Sequence, residues 1–176
     1  MNTFLSILSL ITIAVGAIYI RQILFFIKGL SRLSPGNNIH LQTVAVIVAA
    51  RNEERHIEKC VRSLLQQDYP REKYTIVVVD DQSTDQTATS VEQLSKENAN
   101  VHLLRLLERP TDVSPKIYAL SEGIRISASD LVFTTDADCV VSPKWLASMV
   151  KHFNEGVGVV SGVTLFLEDQ SIPRLL

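Results

Sequence analysis

At 176 residues the chain has room for one compact domain with a real core and not for two. A formal net charge of −2, from 17 Lys/Arg and 19 Asp/Glu, supplies no basic field and excludes nucleic acid as the partner. Two cysteines, Cys60 and Cys139, are too few and too separate for a disulfide framework or a zinc site, which fits a reduced, cytosol-facing domain.

Met1 to Ile20 contains no charged side chain and is dominated by Leu, Ile, Val, Phe and Ala. As a helix it spans roughly 30 Å, about one bilayer core. Buried core helices rarely run so long without a polar face. A cleaved signal peptide would start with basic residues and carry a shorter apolar stretch, whereas here a second apolar run, Ile23 to Ile27, follows directly. Arg21, Lys28 and Arg32 lie on the carboxyl side of the span, so the positive-inside bias puts the remainder in the cytoplasm and the amino terminus outside. The expected layout is a single-pass anchor in the cell (inner) membrane over residues 1–28, a linker over 29–42 with its turn at Pro35-Gly36-Asn37-Asn38, and a globular domain over 43–176.

Thr43 to Ala50 is a continuous apolar run rich in β-branched residues, as expected of a strand covered on both faces. Asn52 is placed to cap the following helix, Glu53 and Glu54 suit its positive end, and Ile57, Cys60, Val61, Leu64 and Leu65 form its apolar stripe. Tyr74 to Asp80 reads as the second strand, and a polar turn from Asp81 to Asp85 leads to a helix marked by Ala88, Val91 and Leu94. Val101 to Leu104 is the third strand. Ser114 then caps and Pro115 opens a helix with Ile117, Leu120 and Ile124 inward. Leu131 to Thr135 is the fourth strand, Ser142-Pro143 repeats the cap-then-proline signal, and Leu146, Met149, Val150 and Phe153 line the last helix. Val157 to Leu167 reads as extended. Such alternation predicts an α/β fold: a doubly wound, mostly parallel sheet with helices on both faces.

Two acidic clusters end apolar strands: Asp80-Asp81 after Val77-Val78-Val79, and Asp136-Ala137-Asp138 after Leu131-Val132-Phe133. On a parallel sheet both open onto the carboxyl-end rim, where α/β sheets bind ligands. Carboxylates gathered there without Arg or Lys partners repel one another, and a divalent cation carrying a phosphate-bearing ligand relieves that repulsion. In Asp136-Ala137-Asp138 the alanine leaves space between two hard oxygen ligands suited to Mg²⁺ or Mn²⁺; the plainer reading is a solvated turn. Asp81 is placed to accept from a nucleobase N–H or a ribose hydroxyl, or merely to close an Asx-turn. Arg51 and Glu53 reach the same nucleotide or serve as surface charges. Lys116 is a cation in a first helical turn, against the macrodipole, which suggests an anion nearby. There is no G-x-G-x-x-G after the first strand and no P-loop. The histidines, His40, His56, His102 and His152, are dispersed and read as surface or linker residues, and Trp145 reads as core. An aspartyl-nucleophile phosphatase using Asp136 with Asp138, or a receiver-like module built on Asp80-Asp81, stays open, although the phosphatase motif normally ends the first strand and Val101 to Arg105 holds no acceptor Asp.

Val44 to Glu54, the QQDYP of Gln66 to Pro70, Val77 to Thr87, Ser114 to Leu120 and Phe133 to Leu146 stand in the order seen in family 2 glycosyltransferases, which the chain resembles over Thr43 to Leu167. The resemblance implies a GT-A, Rossmann-like fold and inverting, metal-dependent transfer from a nucleotide-diphospho-sugar, usually a UDP-sugar, to an envelope lipid or polysaccharide. By position, Ala49, Arg51 and Glu53 match the first-strand nucleotide contacts, Asp81 the carboxylate that reads the base, and Lys116 the basic residue near the diphosphate. Asp136, with Ala137 beside it, matches the position at the ribose and donor sugar, and Asp138 the metal ligand, with Asp136 as its second carboxylate. The acidic residue that acts as base in the family comes later; Glu168 and Asp169 follow the D-x-D too soon, so the expectation is a donor-binding part truncated at its carboxyl end, with the base beyond Leu176, or alternatively a non-catalytic nucleotide-sugar-binding remnant.

Overall fold

The computed structural model describes residues 2–31 and 36–162, and the chain divides into two units, one ending at Pro35 and one beginning at Gly36. The first is a single helix, α1 (Asn2–Leu30), of 29 residues and therefore about 44 Å long. Thr3–Gly29 is long and apolar enough to cross a membrane by length and composition. Two of its hydroxyls bond back to the helix itself, as Ser9 and Thr12 donate to the carbonyls of Leu5 and Leu8.

The second unit alternates strand and helix: β1 (Val44–Ala50), α2 (Ile57–Leu65), a 3₁₀ turn (Arg71–Lys73), β2 (Tyr74–Asp80), α3 (Thr87–Glu97), β3 (Val101–Arg105), α4 (Pro115–Ile126), β4 (Leu131–Asp136) and α5 (Trp145–Val150). The strands form one sheet in the order β3-β2-β1-β4, and every pairing is parallel. Because β1 has β2 on one side and β4 on the other, the chain reverses its direction of travel across the sheet there, and a crevice opens at the carboxyl ends of β1 and β4.

The core follows from the period of two along β1. Val44, Val46 and Val48 point to one face, where they pack with Ile57, Val61 and Leu64 of α2, Val91 and Leu94 of α3, and Leu146 and Val150 of α5. Ala45 and Ile47 point to the other face, with Val77, Val79 and Ala119 of α4. Burial on both faces is why the strand carries no polar alternation. Phe133 anchors the α5 side, with the Trp145 ring edge-on at 5.6 Å and the Phe153 ring stacked at 5.8 Å. Gly36–Gln42, part of the expected linker, is tied to this unit, since the Asn38 amide donates to the Phe153 carbonyl at 2.6 Å and its backbone N–H to Lys151 at 3.0 Å.

Several sequence expectations are corrected. α4 turns Ala119 and Gly123 toward the sheet, while Ile117 and Ile124 are 63% and 45% exposed and Leu120 is half-buried. The reason is distance: a Cβ on Gly123 would stand 2.5 Å from Ile47 Cγ2 and 2.9 Å from Val79 Cγ2, so only small residues fit. Asn52 does not cap α2, which starts at Ile57 behind a turn in which the Glu53 carbonyl accepts from the N–H groups of His56 and Ile57. Ser114 holds the cap position of α4 without a hydroxyl cap bond. Ser142-Pro143 belongs to a turn before α5, the Ser142 carbonyl accepting from Trp145, so that helix begins two residues later and Phe153 follows it. Residues 157–162 form no strand, and the rest of the extended stretch expected through Leu167 lies outside the described residues.

Gly123→Ala should lower stability, because overpacking two stiff, buried β-branched side chains costs about 1–3 kcal/mol while alanine returns only about 1 kcal/mol of helix propensity. An unchanged denaturation midpoint would show that α4 can shift outward. At the other end of the sheet the Asp130 carboxylate accepts from the Thr43 N–H and hydroxyl, both at 2.8 Å, and these bonds, the backbone one first, hold its carboxyl below the ordinary range. A lowered folded pKa contributes stability that is present above the unfolded carboxyl pKa and lost as pH falls through the folded one. The stability gap between wild type and Asp130→Asn should therefore be full at about pH 6, begin to close near about pH 4 and disappear only in more acidic solution, as denaturation across that range would record.

Candidate active site

Register places the chemistry. Ala49 of β1 pairs with Asp136 of β4, and Ala50 pairs with Asp80 of β2, so the acidic ends of two strands emerge at one level on either side of β1. The cleft they border has a volume of about 330 Å³ and is lined by Ala49, Arg51, Glu53, Asp81, Lys116, Asp136, Ala137 and Asp138, together with Ala50, Pro115 and Ala119. Every site residue singled out from the sequence thus lies around one opening. Small side chains at 49, 50, 119 and 137 leave it open, and the amino end of α4, with its unsatisfied N–H groups, borders it at Pro115 and Lys116.

The carboxylates are not bare, which corrects the premise that they lack basic partners. Asp81, 4% exposed, meets Arg109 Nη1 at 2.7 Å and Arg51 Nη1 at 3.7 Å through the same oxygen, Oδ2. Its other oxygen, Oδ1, is buried without a hydrogen-bond partner, as is Oδ1 of neighbouring Asp80. Asp136 meets Lys116 Nζ at 2.6 Å, an exposed pair worth little in water. This pairing answers the question of why a cation sits in the first turn of α4. Asp138 is exposed and makes no hydrogen bond or ion pair among the described residues. Glu53 meets the exposed His56 ring at 3.0 Å.

Two loops carry these residues and are bonded to each other. Asn52 has φ +55° and Gln82 has φ +60°, left-handed positions directly after β1 and just beyond β2. The Asn52 side-chain oxygen accepts from the Thr84 N–H at 2.9 Å, the Asn52 N–H donates to the Ser83 hydroxyl at 3.0 Å, and the Glu53 N–H donates to the Thr87 hydroxyl at 2.7 Å. Asp85 accepts from the Glu54 N–H, and Glu54 accepts from the Gln86 N–H, both at 3.1 Å. Asn52 therefore caps across to the neighbouring loop instead of along its own chain.

The Asp136-Ala137-Asp138 turn is held from beneath. The Asp136 carbonyl accepts from the Cys139 N–H at 3.1 Å and from the Cys60 thiol at 3.6 Å. Burial, then the nearby Cys139, Asp138 and Asp136, push the Cys60 thiol up to about 12, so it stays a protonated, unreactive donor. The Ser63 hydroxyl accepts from the Val141 N–H, and Gln67 donates to the Ser142 carbonyl while accepting from the Leu146 N–H. Sequence reasoning had assigned no part to Ser63, Gln67 or Arg109. Gln67 stood inside a quoted motif, whereas nothing in the spacing of Arg109 pointed to Asp81.

Among the described residues no group of three or more His, Cys, Asp or Glu side chains surrounds a metal position. One free carboxylate at Asp138 beside a lysine-paired one at Asp136 fits Mg²⁺ or Mn²⁺ all the same, because such ions take one or two carboxylates and complete their shell with phosphate oxygens and water.

A parallel sheet whose acidic strand ends border an open cleft at the strand-order switch is the ligand-binding arrangement of open α/β folds. The chain belongs to glycosyl transferase family 2, whose model matches residues 45–171. Among its relatives, the beta-monoglucosyldiacylglycerol synthase of Nostoc sp. is 33% identical over 68% of this chain and 25% of its own length. Among solved structures, a mannosyltransferase of Pyrobaculum calidifontis in complex with GDP-Man and Mn²⁺ is 30% identical, with a TM-score of 0.62, over 71% of this chain and 36% of that one. TarS of S. aureus in complex with UDP-GlcNAc is 27% identical, with a TM-score of 0.51, over 68% and 37%. The chain thus spans between a quarter and somewhat over a third of the length of these three proteins.

Asn52→Ala should cost about 2 kcal/mol, roughly half from a left-handed backbone without a short polar side chain and half from the lost bond to Thr84. Asn52→Gly should cost only the second half. Equal losses for both in chemical denaturation would show that the left-handed backbone contributes nothing.

Proposed function

We propose that the α/β unit binds a nucleotide-diphospho-sugar, most simply a UDP-sugar, and that the whole protein transfers its glycosyl group with inversion to a lipid or polysaccharide acceptor of the cell envelope. The observation that carries this reading is the convergence of eight residues from the carboxyl ends of β1 and β4, the loops that follow β1, β2 and β4, and the first turn of α4 on one cleft, with Asp138 left without a protein partner among the described residues. The mannosyltransferase and TarS structures, with GDP-Man and UDP-GlcNAc bound, support the donor class, and the Nostoc synthase, by its name, supports a lipid acceptor.

In this reading Ala49, Arg51, Glu53 and Asp81 receive the nucleoside, Asp81 accepting from the base. Asp136 and Ala137 border the ribose and sugar. Lys116, already at the mouth on a helix amino end, turns from Asp136 to the diphosphate. A Mg²⁺ or Mn²⁺ ion held by Asp138, with Asp136 beside it, would neutralise charge on the leaving diphosphate. No described residue is assigned as the base for the acceptor hydroxyl. We further propose the layout of anchor over 1–28, linker over 29–42 and donor-binding domain over 43–176, with α1 inserted in the cell (inner) membrane and the α/β unit in the cytoplasm, in contact with membrane acceptors.

Thermal unfolding of the full chain in detergent, with UDP or UDP-sugars and with or without Mn²⁺, tests the site. Ligand at about a hundred times its dissociation constant adds roughly 2.7 kcal/mol, several degrees for a protein of this size. The Mn²⁺-dependent part of the shift should vanish in Asp138→Asn. A cooperatively unfolding protein that no nucleotide shifts would sink the proposal.

A further inference from the structure

We propose that residues 36–42, the strap that leads into β1, form a second membrane contact, in which the exposed Ile39 and Leu41 seat in the lipid–water boundary of the bilayer that α1 crosses. This rests on the proposed insertion of α1 and adds to it a lipid-binding surface on the α/β unit itself.

The strap carries no Asp, Glu, Lys or Arg, and its burial is inverted. Asn38 and Gln42 are half-buried, whereas Ile39 is 88% exposed and Leu41 55%. A loose segment could fold its aliphatic side chains inward, but this one is fixed from behind. A Cβ on Gly36 would stand 2.3 Å from the Lys151 carbonyl, so the backbone itself packs on the end of α5. The Asn38 N–H and side-chain amide donate to the Lys151 and Phe153 carbonyls, the Asn38 side-chain oxygen accepts from the His40 N–H at 2.9 Å, and the Tyr69 hydroxyl donates to the Gln42 carbonyl at 2.7 Å. Val157, 39% exposed, borders a cavity of about 760 Å³ that Asn38, His40 and Gln42 also line, and brings a third aliphatic side chain to the same region. Asp130 and Glu155 line that cavity too, so the contact is apolar in character and not an attraction to anionic headgroups.

Chain length identifies what covers the patch. Lys28, in the last turn of α1, marks the headgroup level at the cytoplasmic end of the span. Six peptide steps separate Leu30 from Gly36, at most about 21 Å of chain. The strap therefore stays in the neighbourhood of the bilayer, and so short a tether gives its aliphatic side chains a high effective concentration at the lipid surface. A second copy of the chain would have to displace a lipid surface that is always at hand. Strap and cleft lie at opposite ends of β1, so lipid contact leaves the cleft open.

The test is tryptophan fluorescence of the full chain in phosphatidylcholine vesicles, with or without bromine near the carbonyl end of one acyl chain. Wild type supplies the background, since its single tryptophan, Trp145, packs against Phe133. Ile39→Trp reports on the strap, Phe25→Trp on α1, and Gln93→Trp, at an exposed position of α3, on any affinity that tryptophan itself has for lipid. Brominated vesicles should quench Ile39→Trp and Phe25→Trp beyond the background and spare Gln93→Trp. Quenching of Phe25→Trp without Ile39→Trp overturns the contact and leaves the anchor standing. A blue shift of Ile39→Trp without quenching assigns the patch to a protein, such as a second copy, and overturns it as well. Equal quenching of Ile39→Trp and Gln93→Trp shows indiscriminate adsorption and does the same. Vesicles that carry the folded chain and quench neither Ile39→Trp nor Phe25→Trp overturn both this inference and the insertion of α1 on which it rests.

Discussion

The site depends on the parallel register between β1 and its two neighbours. Since β1 supplies only alanines at the level where β2 and β4 supply Asp80 and Asp136, two acidic strand ends flank a rung with almost no side-chain volume. A shift of one residue in either pairing would turn alternate side chains to opposite faces and bury the wrong ones. The valine-rich halves of the strands prevent that slip, because each strand packs a different helix set on each face. The hydrophobic core and the cleft are thus two ends of one alignment.

Charge in the cleft is organised in local pairs. Asp81 shares its arginines and Asp136 its lysine, so in the free protein the acidic rim is largely self-compensated. A diphosphate entering the cleft would compete for Lys116 and leave Asp136 in need of a cation. In the proposed donor reading, nucleotide and metal binding would be coupled through this one ion pair, each favouring the other.

Strand positions and the gathering of the site were readable from the sequence, because continuous β-branched runs ending in acidic residues signal the period, the burial and the rim together. The inward face of α4 was not. Hydrophobicity pointed to Ile117 and Ile124, but how near a helix lies to a sheet is a property of both partners, and here closeness selects Ala119 and Gly123. Cap signals misled for a related reason. Asn52 and Ser142 are residue types that bond backbone wherever it is available, and in this fold the groups available to Asn52 belonged to the β2–α3 loop. The Arg109 contact crosses 28 positions of sequence and has no local signature.

The mutual bonding of the loops after β1 and β2 has a consequence for anyone seeking to re-engineer the proposed donor site. Asn52, Glu53 and Glu54 contribute backbone or side-chain groups that are completed only by Ser83, Thr84, Asp85, Gln86 and Thr87. A loop transplanted alone from a relative would arrive without its counterpart and expose a left-handed turn that nothing supports. The two loops form a single module that must be exchanged as a matched pair.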